Sequence, residues 1–306
     1  MSEQTKIAWC DSTLNFWEGC TKVSAGCANC YAEARDKRFT GGKLWGKGAP
    51  RRKSKSAAKD AMRYNRLAWI CDECGTAIGS DGPDCECGQA GAIGKVHRRR
   101  IFSLSLGDWL DEDVPIEWLA EMLDTIRQCD QVMWILCTKR PENFFNRLGK
   151  ASLSGGELQG FIRDWLNGTR IPPNIILLAS VENQEAAEKR IPELLGIPAA
   201  CRGLSLEPLL GPVDVSHWCI EGGGGGLDWL IIGGESGPNA RPCNVDWIRS
   251  LAKQGKAAGV ATFVKQLGAK PFTGNPEIIW SMRDKKGADP SEWPEDLRVQ
   301  EWPEGF

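Results

Sequence analysis

From residue 101 onward the chain alternates between short apolar runs and stretches with helical spacing. The runs 101–106, 132–137, 175–179, 203–206, 229–232 and 262–264 have the length and apolar character of buried strands. Between them, residues 116–129, 142–148, 157–166, 184–195 and 246–258 carry apolar side chains at helical intervals. Alternation of this kind predicts a parallel sheet with helices outside it. A further run at 14–17 brings the strand count to about seven. That fits a partial or irregular (β/α) TIM-like barrel, and a doubly wound open sheet fits the same pattern.

Nearly every apolar run ends in polar or charged residues: Ser105 and Asp108, Thr138, Lys139 and Arg140, Ser180 and Glu182, Ser205 and Glu207, Glu235 and Ser236, Lys265 and Gln266. In a barrel these ends converge on the C-terminal face, where such folds place their active sites. Lys139 and Arg140 suit a carboxylate or phosphate, since Arg binds such groups through two hydrogen bonds. Glu182, Glu207 and Glu235 suit polar substrate groups or proton transfer. Glu182, Glu207 and Lys139 are therefore the catalytic candidates. The plain alternative for each is a salt bridge on a barrel rim.

Upstream, Cys20, Cys27 and Cys30 stand at C-x6-C-x2-C spacing, behind Asn15 and Gly19 and ahead of Tyr31 and Ala32. A closed zinc site takes four ligands, and an ordinary iron–sulfur cluster also takes four thiolates. Three clustered thiols leave one metal position open for chemistry. A structural zinc site completed by Cys10 is the other reading. The pattern resembles the cluster motif of radical S-adenosylmethionine (radical SAM) enzymes, whose standard spacing is C-x3-C-x2-C; the first gap here is three residues longer. Blocks at 137–141, 180–183, 205–211 and 233–238 extend the likeness. Together they resemble a phage-borne radical SAM-like family of undefined chemistry, over nearly the whole chain outside 43–97.

The resemblance implies a barrel of the radical SAM type in which Cys20, Cys27 and Cys30 hold a [4Fe–4S] cluster. S-adenosyl-L-methionine would chelate the fourth iron. One electron, from a donor such as flavodoxin or ferredoxin, would split it to methionine and a 5′-deoxyadenosyl radical that abstracts hydrogen from the substrate. Gly233-Gly234-Glu235 resembles a GGE motif that normally follows the second strand of these enzymes; here it follows a late one. By position, Ser105 to Asp108 is the better candidate for the cofactor's amino group. The expected cofactor-binding set is Ser105, Asp108, Thr138, Ser180, Gly233, Gly234 and Glu235. Glycine there would admit backbone close to a ligand.

Between residues 43 and 66, nine basic residues face one acidic residue, Asp60. Cys71, Cys74, Cys85 and Cys87 follow, in a C-x2-C-G and a C-x-C-G half. Four thiolates across a short loop suit a structural, tetrahedral Zn²⁺ in a small zinc-knuckle-like insertion. The expected organisation is a cluster-binding loop and first βα unit over 1–42, a basic zinc insertion over 43–100, the rest of the barrel over 101–270, and an irregular cover over 271–306.

Seven of the 13 cysteines fall in these two clusters, which reads as metal binding and not as disulfides. No apolar run approaches the ~20 residues that span a bilayer, and the N-terminus has no signal-peptide core. The expectation is a cytoplasmic protein (host cytoplasm if phage-encoded) with no membrane partner. A net charge of −2 gives no global basic signature, so a nucleic-acid contact must rest on a local patch.

The leading expectation is a radical SAM enzyme that isomerises or rearranges a modified nucleobase, a hypermodified thymine in phage DNA, with DNA or a modified nucleotide as partner. Two other classes stay open: a carboxylate-based barrel hydrolase, and a zinc-dependent nucleic-acid binder without catalysis.

Overall fold

Seven strands form one parallel sheet in chain order: β1 (Ser12–Leu14), β2 (Arg100–Ser103), β3 (Met133–Thr138), β4 (Ile175–Ser180), β5 (Cys201–Leu206), β6 (Trp229–Gly233) and β7 (Ala261–Gln266). The structure is a computed structural model that describes residues 5–70, 77–78, 96–220 and 225–305. The sheet is compatible with a partial (β/α) barrel. Each apolar run expected to be a strand from residue 101 onward contributes a strand to it.

The helices are α1 (Tyr31–Thr40), α2 (Ala57–Tyr64), α3 (Ile116–Gln128), α4 (Phe144–Ala151), α5 (Gly156–Leu166), α6 (Gln184–Leu195) and α7 (Val245–Ala257). The buried faces of α2 to α7 pack on the outer side of the sheet against Leu14, Ile101, Trp134, Leu136, Leu177, Leu204, Leu230 and Val264. Alternation along each strand sends the neighbouring residues to the inner side. There Met133, Ile135, Ile176, Leu178, Trp229, Ile231 and Phe263 meet Trp9 and Trp302, from the two ends of the chain. Trp302 donates its indole N–H to the Trp9 carbonyl at 3.3 Å. The aromatic layer thus fills the inner face below the strands' C-terminal ends. Fully burying one such aliphatic side chain contributes about 1.5–3 kcal/mol.

Residues 299–301 run antiparallel along the open edge of β7: Val264 donates to Val299 at 2.8 Å and Glu301 to Thr262 at 2.9 Å. The tail therefore satisfies backbone groups that an edge strand would otherwise offer to another chain. Among the described residues no helix is long and apolar enough to cross a membrane.

Two local differences from the sequence pattern have clear causes. The apolar run 14–17 is not one strand. Leu14 ends β1, and Trp17–Glu18 pairs antiparallel with Arg52–Lys53. Asn15 breaks the run by accepting the Leu106 N–H at 2.8 Å. The run 101–106 stops at Ser103 because Leu104 turns the chain at φ 63°, where a side chain is strained. α2 carries no expected pattern of its own, yet Ala57, Ala61 and Tyr64 are buried against the core shared with α3. The basic stretch thereby contributes to the barrel wall. Beyond it, Leu67–Ile70, Ala77–Ile78 and Val96–Arg98 form a small antiparallel sheet.

Gly203 on β5 shows how tightly the inner layer closes. A Cβ there would stand 2.6 Å from the Trp229 carbonyl oxygen and 2.8 Å from a Leu178 methyl. Gly203→Ala should lower stability by about 2 kcal/mol, read as a lower urea midpoint. Gly149→Ala on α4, where the added methyl meets nothing within 4 Å, should raise it by up to about 1 kcal/mol.

Candidate active site

The loop after β1 leaves the sheet at its C-terminal end. Gly19 adopts φ 112°, and a Cβ there would collide with the Leu44 carbonyl at 2.5 Å. Only glycine lets the chain pass this point. Gly19 donates to Leu106 at 3.0 Å, Cys20 pairs with Trp45, and a single 3-10 turn (Ala25–Cys27) leads to Cys30 and α1. All three thiols are half-buried. The loop after β2 is tied to this one by Asn15, which exchanges hydrogen bonds with the Ser105 hydroxyl, and by Tyr31, whose hydroxyl donates to the Ser105 carbonyl.

Asp108 and Arg140 join three strand ends. The Asp108 carboxylate accepts from the Thr138 hydroxyl at 2.7 Å, the Lys139 N–H at 2.9 Å, the Leu110 N–H at 3.0 Å and the Arg140 guanidinium at 2.8 Å. These contacts fill its acceptor sites. Arg140 also donates to the Thr21 carbonyl at 2.5 Å and lies 3.7 Å from the Cys20 sulfur. Burial pushes the Cys20 thiol up to about 12, the Asp108 charge adds to this, and Arg140 opposes both. Beside them the buried Arg51 guanidinium bonds Asp111 at 2.9 Å, Asp113 at 3.1 Å, the Thr21 hydroxyl at 2.8 Å and the Ala49 carbonyl at 2.8 Å. The first arginine of the basic stretch is therefore an internal staple.

Each of the three expected glutamates has a cation. Glu182 is buried and bonds Arg190 at 2.7 Å. Burial alone would raise its carboxyl; the facing Ser24 hydroxyl and the Arg190 charge outweigh that and hold it below the ordinary range. Glu182 also backs the cysteine loop, since a Cβ on Gly26 would lie 3.1 Å from its carboxyl carbon. Glu235 takes both ends of the Arg241 guanidinium at 2.6 and 2.8 Å and the Asn29 amide at 3.0 Å. Burial again pushes upward, and the Arg241 and Asn29 hydrogen bonds win. Arg241 reaches on to the Ala25 carbonyl at 2.9 Å. Glu207 pairs with Lys265 at 2.9 Å.

Gly233 and Gly234 are glycines for the protein's own packing. A Cβ on Gly233 would stand 2.5 Å from the Glu207 carboxylate, and one on Gly234 would strike the Leu267 backbone. At the inner layer, Ser180 lies 3.3 Å from the Cys137 sulfur. Lys139 is half-buried, and among the described residues no carboxylate pairs with its ammonium. Burial raises the Cys137 thiol and the Lys139 charge opposes that; the same charge adds to the lowering of the Glu182 carboxyl.

The structure therefore brings Cys20, Ser105, Asp108, Thr138, Lys139 and Arg140 to one sector of the rim, and Cys27, Cys30, Glu182 and Glu235 to the neighbouring one. Cys71, Cys74, Cys85 and Cys87 lie outside the described residues. Among the described residues no group of three or more His, Cys, Asp or Glu side chains closes on a single ion. Asn29, Arg51, Arg190 and Arg241 escape the sequence reading. Asn29 sits between the last two cysteines, which is its only signal. Arg51 has none, because Asp111 and Asp113 are distant in the chain, whereas Arg190 and Arg241 follow Glu182 and Glu235 by eight and six residues and could have been found as nearby cations.

The glutamate pairs set an acid limit. Both Glu182 and Glu235 carry depressed carboxyls, so their stabilisation is complete above the ordinary carboxylate value of about 4.3 and is lost as pH falls below it. Glu182→Gln should cost about 3 kcal/mol at neutral pH, because Arg190 stays buried without a counter-charge. Glu235→Gln should cost about 2 kcal/mol. Urea unfolding at neutral pH and at about pH 3.5 should show each deficit shrinking in acid.

No curated protein and no solved structure gives a match to this chain. The model of the family described as "Protein of unknown function (DUF5131)" matches residues 4–292, and the chain belongs to that family.

Proposed function

We propose that the chain is a radical SAM enzyme acting on a nucleobase. The observation that supports this most is the placement of the cysteine loop. It leaves β1 at the same end of the sheet as Asp108, Thr138, Lys139, Glu182, Glu207 and Glu235. In barrel folds that end carries the chemistry.

The donors suit a cluster in kind. They are three soft, half-buried thiols on a glycine-containing loop. In a cluster each thiolate meets a different iron, so the sulfurs need not close on one point. Cys20, Cys27 and Cys30 would hold a [4Fe–4S] cluster, and S-adenosyl-L-methionine would take the open iron. When bound, the pair supplies one-electron cleavage to methionine and a 5′-deoxyadenosyl radical, given an electron from a flavodoxin- or ferredoxin-type donor. The protein binds, orients and shields.

The chain's own residues divide that work. Arg140 and Asp108 fix the start of the cysteine loop, and Glu235 with Arg241 fixes its far end. Lys139 supplies the uncommitted cation for a carboxylate or phosphate. The Glu207–Lys265 pair would exchange a proton with a polar substrate group. Cys71, Cys74, Cys85 and Cys87 would bind a structural Zn²⁺ in the basic segment. The reaction class that fits a phage-type nucleobase substrate is an isomerisation or other rearrangement begun by hydrogen abstraction.

The hydrolase reading fits less well, because it gives the three-cysteine loop no role, and Glu182 and Glu235, both held down by cations, lack the raised carboxyl of a glycosidase acid.

Anaerobic reconstitution with iron and sulfide tests the proposal. The reduced protein should give a low-temperature paramagnetic signal that changes when S-adenosylmethionine is added, and 5′-deoxyadenosine should form. Cys20→Ala, Cys27→Ala and Cys30→Ala should each abolish both. Lys139→Ala should leave the cluster signal intact and weaken binding of the anionic ligand about tenfold. Zinc uptake alone, with no cluster and no 5′-deoxyadenosine, would refute the reading.

A further inference from the structure

We propose that the outward face of α1 is a docking strip for an unpaired nucleic-acid strand, leading to the rim at Tyr31. This deepens the nucleobase reading above and names the surface that would present the substrate.

An ordinary surface helix buries an apolar stripe and shows polar residues to water. α1 does the reverse. Two of its three buried residues, Glu33 and Asp36, are acidic, and only Ala32 is apolar. Its outer face carries Tyr31, 59% exposed, and Phe39, 66% exposed. Residues 31, 35, 38 and 39 follow helical spacing and lie along one side. Arg35 and Arg38 place their guanidinium carbons 5.8 and 5.1 Å from the centre of the Phe39 ring. An aromatic ring flanked by two guanidinium groups is the set that stacks bases and meets phosphates at once.

The charges around it are available. Arg35 shares an exposed ion pair with Glu18 at 3.3 Å, which contributes little in water and exchanges readily for a phosphate. Among the described residues no carboxylate pairs with Arg38. Lys43 and Lys47, both exposed, continue the basic surface beyond the helix. An acidic protein partner would use the same cations, but it has no need of the exposed ring; the ring favours bases. The strip is also anchored where the chemistry would be. Tyr31 directly follows Cys30, and its hydroxyl donates to Ser105 at the rim.

Fluorescence anisotropy on the full chain, without reconstitution, tests this with a labelled mixed-sequence single-stranded DNA oligonucleotide. Phe39→Ala should weaken binding about tenfold with an unchanged salt slope. Arg35→Ala with Arg38→Ala should weaken it at least as much and lower the salt slope by about 1.4. Thermal melts should match the parent, since all three side chains are exposed. Unchanged binding in these variants would overturn the proposal. So would binding lost instead in Lys55→Ala with Lys59→Ala, or an acidic flavodoxin captured in place of the oligonucleotide. The same titration on Cys20→Ala separates the two readings. Strip binding that survives there without cluster chemistry sinks only the enzyme assignment. Cluster chemistry without strip binding sinks only this one.

Discussion

Three consecutive loops of the barrel rim meet at one guanidinium. Arg140, at the end of β3, bonds Asp108 after β2 and the backbone of Thr21 after β1, with the Cys20 sulfur beside it. Taking such a pair out of water costs several kcal/mol per ion, and attraction repays it only when the remaining hydrogen-bonding sites are also filled. Here they are filled: Asp108 has four donors, and Arg140 turns its remaining N–H groups to a carbonyl and a thiol. Removing either partner would strand the other. The position of the first cysteine is thus set by residues 88 and 120 positions later in the chain.

The opposite flank of the cysteine loop is held in the same currency. Glu235 and Arg241 grip Asn29 and the Ala25 carbonyl, and Glu182 with Arg190 stands behind Gly26. The rim carboxylates look like reagents because they are acidic groups at strand ends. In the fold they are struts that carry a long, irregular loop whose own secondary structure is a single 3-10 turn and an isolated bridge. Lys139 has no such duty: among the described residues no carboxylate pairs with it.

The strands were legible in the sequence because buried parallel strands are continuous apolar runs, and residues 175–179 or 229–232 have no other good use. Their polar ends were legible for the same reason: the pattern breaks where the sheet does. Less visible were features fixed by distant partners. Leu104 reads as one more apolar residue of its run, yet it turns the chain at φ 63° and ends β2 at Ser103. α2 lay hidden in a basic stretch because its buried face is made of Ala57, Ala61 and Tyr64, which barely register as a hydrophobic stripe. Gly233 and Gly234 suggested close approach by a ligand, and in the fold a side chain at either would meet Glu207 or the backbone of Leu267. Small residues announce close approach without saying what approaches.

The aromatic layer on the inner face has a consequence for shape. Trp9, Trp229 and Trp302 meet at the start of the strands, with Phe263, Ile135, Leu178 and Ile231 packed in the layer above them. The inner face is therefore closed and dry on the side of the strands' N-terminal ends. A ligand meets the rim groups from the opposite side, where the chain's loops and not its core decide what is admitted.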